Sequence, residues 1–220
     1  LTPIRDAATI ILLRDRTTHP RVLMGQRGAS AAFMPSKFVF PGGAVDPADA
    51  TVSLARPVPA PCHARLADQS LLAPATIAAA AIRELWEEAG LALAHPAPTS
   101  PWPGFPGHPD ASTMRFVFRA VTPPGRPRRF DARFLLAPAE SLLGDPDDFS
   151  RATDELSHLQ WVPLDAARRF DLPFITEIVL AEIAHRLTED APPPSVPFFR
   201  NDDDAHQVAH LGIDVTVDRD

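Results

Sequence analysis

The chain has 220 residues, 45% hydrophobic and 22% charged, the balance of a globular protein long enough to bury one sizeable core. Its net charge of -7 argues against a general affinity for nucleic acid. No apolar run reaches the roughly eighteen residues of a membrane span, and Leu1 to Arg14 shows no secretory signal. Cys62 is the only cysteine, which excludes an internal disulfide and a cysteine zinc site and fits a reducing, cytoplasmic setting.

In chain order, Ala8 to Arg14 is short, β-branched and almost wholly apolar, the pattern of a buried strand. Polar residues from Asp15 to Pro20 make a turn, and Arg21 to Gln26 completes a hairpin. Lys37 to Phe40 is a third strand, stopped by Pro41-Gly42-Gly43. Thr51 to Ala75 mixes prolines with leucines. It reads either as a short helix near His63 to Leu72, docked by its leucines, or as a mobile loop.

Thr76 to Ala89 is the clearest helix. Four consecutive alanines favour it, Pro74 stands at its start and Gly90 closes it. Ala94 to Asp110 reads as a loop. Arg115 to Val121 and Phe130 to Leu136 alternate as strands do, Leu156 to Val162 is another strand, and Leu164 to Phe170 a short helix. Phe174 to Leu187 has the apolar stripe of an amphipathic helix. From about residue 191 the chain reads as a Pro-rich, then acidic, tail. Mixed strands with a few helices predict an α+β protein with α/β/α layers.

Glu84, Glu87 and Glu88 fall at spacings of three and four, on one side of the long helix. Three like charges so close weaken a bare helix. The pattern is either a solvated acidic face or a site for a hard divalent cation, which binds carboxylate oxygens and substrate phosphates together. Arg83 lies four residues before Glu87 and can pair with it.

Arg83-Glu84-Leu85-Trp86-Glu87-Glu88-Ala89-Gly90-Leu91 matches the second half of the Nudix signature at each fixed position. Gly43 resembles its first glycine, and Asp49 stands where the signature has its first glutamate. The spacing departs from the pattern: Gly43 and Arg83 are 40 positions apart instead of 14, so 26 residues are inserted. The resemblance implies one Nudix domain over residues 1–220, with a mixed β-sheet between helices, an insertion at about 51–75 and a tail from about 191. It implies Mg²⁺ or Mn²⁺ held by Glu84, Glu87, Glu88 and Gly43, with Arg83 orienting the carboxylates. It also implies a small nucleoside diphosphate derivative as substrate and a homodimer of the kind family members form.

An interrupted Nudix box, together with Leu23-Met24-Gly25-Gln26-Arg27-Gly28, Phe33-Met34-Pro35 and Arg129 to Phe134, resembles the peroxisomal-type coenzyme A diphosphatases. That likeness implies hydrolysis of coenzyme A or acyl-coenzyme A to 3′,5′-ADP and a 4′-phosphopantetheine. Hydrolysis of ADP-ribose or a dinucleotide, and nucleotide sensing without cleavage, stand as alternatives. Arg27, Arg133 and Gly42 are the expected substrate contacts, and Arg115 and Arg119 are further arginines able to grip phosphate. Glu155, Glu140 and Asp49 are candidates for an additional base or metal ligand. Trp86, Trp102 and Phe105 are expected to pack, and the scattered histidines to lie on the surface or in the core.

Overall fold

The computed structural model describes residues 2–31, 33–188, 194–202 and 205–212. Strand β1 (Ile4–Arg14) forms the spine of the sheet. Ala8, Ile10 and Leu12 bury on one of its faces, Ile11 and Leu13 on the other. That explains its unbroken apolar run, because a strand covered on both sides has no polar alternation. β2 (Arg21–Arg27) and β4 (Gly42–Ala44) pair with β1 antiparallel, and β3 (Phe38–Val39) pairs with β2.

The segment between β4 and the long helix is folded. A 3-10 turn, Pro47–Thr51, leads to helix α1 (Ala60–Ala67), and α2 (Pro74–Ala89) follows. Val58, Cys62 and Leu66 bury in the core shared with α2. The docked-helix alternative therefore holds, although the helix starts and ends earlier than the leucines suggest. Leu71 is left fully exposed at 103%.

α2 bears its alanines, Ala78 to Ala81, fully buried, so small side chains let the helix lie close to β1 and β4. Gly90 ends it in the left-handed conformation, φ 71°, where a Cβ would be strained. The segment expected as a loop at Ala94 to Asp110 contains a small ladder, β5 (Ala94–Pro96) with β6 (Gly107–Pro109).

β7 (Arg115–Val121) and β8 (Arg129–Pro138) pair antiparallel, and β8 runs parallel to β1 over ten residue pairs. β9 (Leu156–Pro163) joins β2. α3 (Phe174–His185) covers the second face with Val179, Leu180 and Ile183. The expected tail instead supplies β10 (Val196–Asp202) and β11 (Ala205–Leu211), which extend the sheet beyond β7. Burial of Val196, Phe198 and Leu211 outweighs the surrounding prolines and aspartates. Residues 189–193, Asp203, Asp204 and 213–220 lie outside the described set. The described residues thus form a nine-stranded mixed sheet between α1 and α2 on one face and α3 on the other. None of their helices is long and apolar enough to cross a membrane.

Candidate active site

β4 places the glycine turn directly against the second half of α2. A Cβ on Gly43 would stand 2.5–2.7 Å from the Glu84 carboxyl group, so any larger residue would push that carboxyl out of its place against Arg83. The Gly42 amide donates to Glu88 Oε2 at 2.7 Å. Glu88 is 1% exposed, and its Oε1 has no hydrogen-bond partner among the described residues.

Arg83 locks the other side of this cradle. Its Nε and Nη2 donate to the two oxygens of Asp49 at 2.8 and 3.0 Å, across 34 positions of sequence. Nη1 reaches Glu84 at 2.9 Å and Glu87 at 2.8 Å, and Nη2 also reaches the Ala44 carbonyl at 3.0 Å. Asp49 in turn accepts from the Asp46 amide at 2.8 Å. With both oxygens so occupied and 1% exposure, Asp49 orients Arg83.

Burial raises the Glu84 carboxyl pKa to about 7, against the pull of Arg83. Burial also raises Glu88 well above the ordinary carboxylate range, and the Gly42 hydrogen bond offsets this only in part. Three acids, Asp49, Glu84 and Glu87, therefore share one buried guanidinium, and Glu88 beside them is held by the Gly42 amide. A buried carboxylate cluster with surplus charge and an unfilled oxygen is the chemistry that a hard cation satisfies. Among the described residues no group of three or more His, Cys, Asp or Glu side chains is already arranged to hold a metal ion. Mg²⁺ keeps several waters and takes few carboxylates together with substrate phosphates.

The β2–β9 pair brings two more predicted residues here. Arg27 pairs with Leu156 in register, and its Nη2 lies 3.6 Å from Glu155 Oε1. The charge of Glu155 acts on both Glu84 and Glu88, and that of Arg27 on Glu88.

Four of the expected residues make their contacts elsewhere. Arg133 is 1% exposed. It pairs with Asp6, lies 3.3 Å from Asp131 and donates to Ser70 Oγ. These contacts tie the turn after α1 to the sheet, and Nε stays buried without a partner among the described residues. Arg119 ties the same turn, donating to Asp131 and to the Asp68 and Gln69 carbonyls. Glu140 accepts weakly from the amide of Asp15, the residue just past the end of β1 and six positions from Thr9, the partner of Gly42. At about 3.4 Å per residue that is roughly 20 Å from the glycine turn, too far for a base or ligand. With Arg115 it borders a cavity of about 770 Å³ at that far end.

The aromatic residues pack, as expected. Phe105 makes edge contacts with both Trp86 and Trp102, and Trp86 Nε1 donates to the Pro103 carbonyl.

A NUDIX domain family model matches residues 73–183. The chain belongs to the Nudix family. It is 29% identical over 181 residues to nudix hydrolase 7 of Caenorhabditis elegans, an alignment covering 72% of this chain and 51% of that protein. The chain thus spans about half the length of this curated relative. Among solved structures, the NUDIX hydrolase from Alicyclobacillus acidocaldarius is 28% identical with a TM-score of 0.64, covering 88% of this chain and 100% of that one. The MutT protein from Methanosarcina mazei Go1 shares the fold, at 14% identity and a TM-score of 0.50, covering 84% and 96%.

Proposed function

We propose that this Nudix chain is a Mg²⁺- or Mn²⁺-dependent diphosphatase. In this reading its substrate is coenzyme A or an acyl-coenzyme A, cleaved to 3′,5′-ADP and a 4′-phosphopantetheine. The observation that carries the metal-dependent part is the cradle itself: Glu84 and Glu88 lie under Gly42-Gly43, and buried Glu88 Oε1 still seeks a partner. Glu84, Glu87 and Glu88 would hold the metal with the Gly43 backbone, and Arg83 fixes the rotamers of Glu84 and Glu87. The bound cation supplies neutralisation of phosphate charge and acidification of water. Arg27 binds substrate phosphate, Gly42 keeps the turn close to it, and Glu155 serves as base or further ligand. Support for coenzyme A within the diphosphate class comes from the interrupted box and the Leu23 to Gly43 segments.

A substrate panel with Mg²⁺ or Mn²⁺, read by mass spectrometry, tests the proposal. Coenzyme A should yield 3′,5′-ADP. AMP from ADP-ribose, with coenzyme A untouched, would replace the substrate while keeping the chemistry. No cleavage of any diphosphate with either metal would overturn the enzymatic reading.

A further inference from the structure

The β2–β9 ladder is irregular beside the carboxylate cradle. Met24 pairs with Gln160 and Gln26 with Ser157, so His158 and Leu159 together face Gly25 alone. His158 adopts a left-handed conformation, φ 52°, which costs energy for a residue with a Cβ. Gly25 is forced by the same feature, since a Cβ there would stand 2.9 Å from Leu156 Cβ and 3.0 Å from Leu159 Cδ2. A bulge of this kind twists the strand and re-aims the side chains beyond it. Those side chains are Arg27 and Glu155.

Their contact is incomplete. The 3.6 Å separation exceeds a good hydrogen bond, and Glu155 is 57% exposed. Such a pair is weak and screened by solvent. On the same guanidinium, Nε is buried with no partner among the described residues. Nε and Nη2 form one edge of the planar fork, the edge that grips phosphate through two parallel hydrogen bonds.

We propose that Arg27 exchanges partners when substrate arrives. Before binding, it faces Glu155 across the cradle. A diphosphate then takes the Nε–Nη2 edge, satisfies the buried donor and releases Glu155 to the reacting side. The inference rests on the diphosphatase reading above and adds to it a competition between a substrate phosphate and Glu155 for one arginine.

The competition predicts opposite effects from removing its two members. Calorimetric titration with α,β-methylene-ADP in the presence of Mg²⁺ reads them, because that diphosphate cannot be cut at its bridge. Arg27→Ala should weaken binding about tenfold or more, while Glu155→Gln should tighten it about threefold or more. Turnover of a cleavable diphosphate should fall in both variants. Thermal melting confirms that each variant is folded, and Arg27→Lys should recover only part of the binding, since an ammonium cannot make the planar double contact. If Glu155→Gln binds no tighter than wild type while wild type cleaves diphosphates, the exchange is overturned and the enzymatic reading stands. If wild type neither binds the analogue nor cleaves any diphosphate, both fall together.

Discussion

Two buried arginine networks flank β1 on the face that carries α1 and α2, and their charge balance separates them. In one, Arg119 and Arg133 meet Asp6 and Asp131, two guanidiniums against two carboxylates. Leftover donors go to the Asp68 and Gln69 carbonyls and to Ser70 Oγ. In the other, Arg83 alone faces Asp49, Glu84 and Glu87, with Glu88 close by and one of its oxygens unfilled. The balanced network ties the turn after α1 to the sheet, with Arg133 Nε left buried and without a partner among the described residues. The unbalanced one keeps a demand for positive charge. Burial and ion pairing are common to both, so neither property marks a site; the surplus of carboxylate does.

Substitutions can break or sharpen this contrast. The largest effect is expected in the unbalanced network. Glu88→Gln and Glu87→Gln should each lower Mg²⁺-dependent turnover by about a thousandfold or more while the chain stays folded, because metal ligation is lost and the packing is kept. Steady-state kinetics and thermal melting check both halves of that statement.

Asp49→Asn comes next. It leaves Arg83 buried without its double partner, which should cost about 3–5 kcal/mol of stability and lower turnover by about 10- to 100-fold through misplaced carboxylates. Arg133→Met in the balanced network should also destabilise by about 3 kcal/mol, since Asp6 and Asp131 lose a buried partner. Its turnover per folded molecule should stay within about twofold, a margin far below one decade of rate. Denaturant melts and active-site-normalised rates distinguish the two arginine partners. Equal kinetic losses in both variants would erase the contrast.

A smaller effect concerns pH. Glu84 is raised to about 7 from an ordinary 4.5, and Glu88 is raised also, in both cases chiefly by burial. A carboxyl raised on folding contributes stability below its unfolded value and loses it as pH climbs through the folded one. The metal-free protein should therefore lose stability between about pH 4.5 and 7 and beyond, as these acids ionise. The melting-temperature gain on adding Mg²⁺ should be larger at pH 8 than at pH 5.5. The smallest effect belongs to Glu140→Gln at the far end of β1, expected within about 0.5 kcal/mol of wild type and with unchanged turnover.

The acidic face of α2 is legible because its information is local: spacing puts Glu84, Glu87 and Glu88 on one side, and Gly90 ends the helix by itself. The Arg83–Asp49 pair was half legible. Both residues could be named, but only the folded segment between them shows that 34 positions close to 2.8 Å. The partners of Arg133 are not legible, because an arginine among alternating apolar residues signals a strand and the identity of its partners is set by other strands. Asp6, on β1, lies 127 positions away. The β10–β11 pair was hidden by composition, since prolines and aspartates mask the few apolar residues that bury. Arg27 and Glu155 stand out in the sequence one by one, yet their meeting depends on the bulge at Gly25 and His158, which pattern alone does not predict.

The central claim is that surplus carboxylate beneath the glycine turn forms a divalent-cation site. Electron paramagnetic resonance during Mn²⁺ titration tests it most directly, with wild type, Glu88→Gln and Glu140→Gln compared at one pH. Bound Mn²⁺ should appear in wild type and Glu140→Gln and be strongly reduced in Glu88→Gln. Equal Mn²⁺ binding by all three, or none by wild type, would contradict the account.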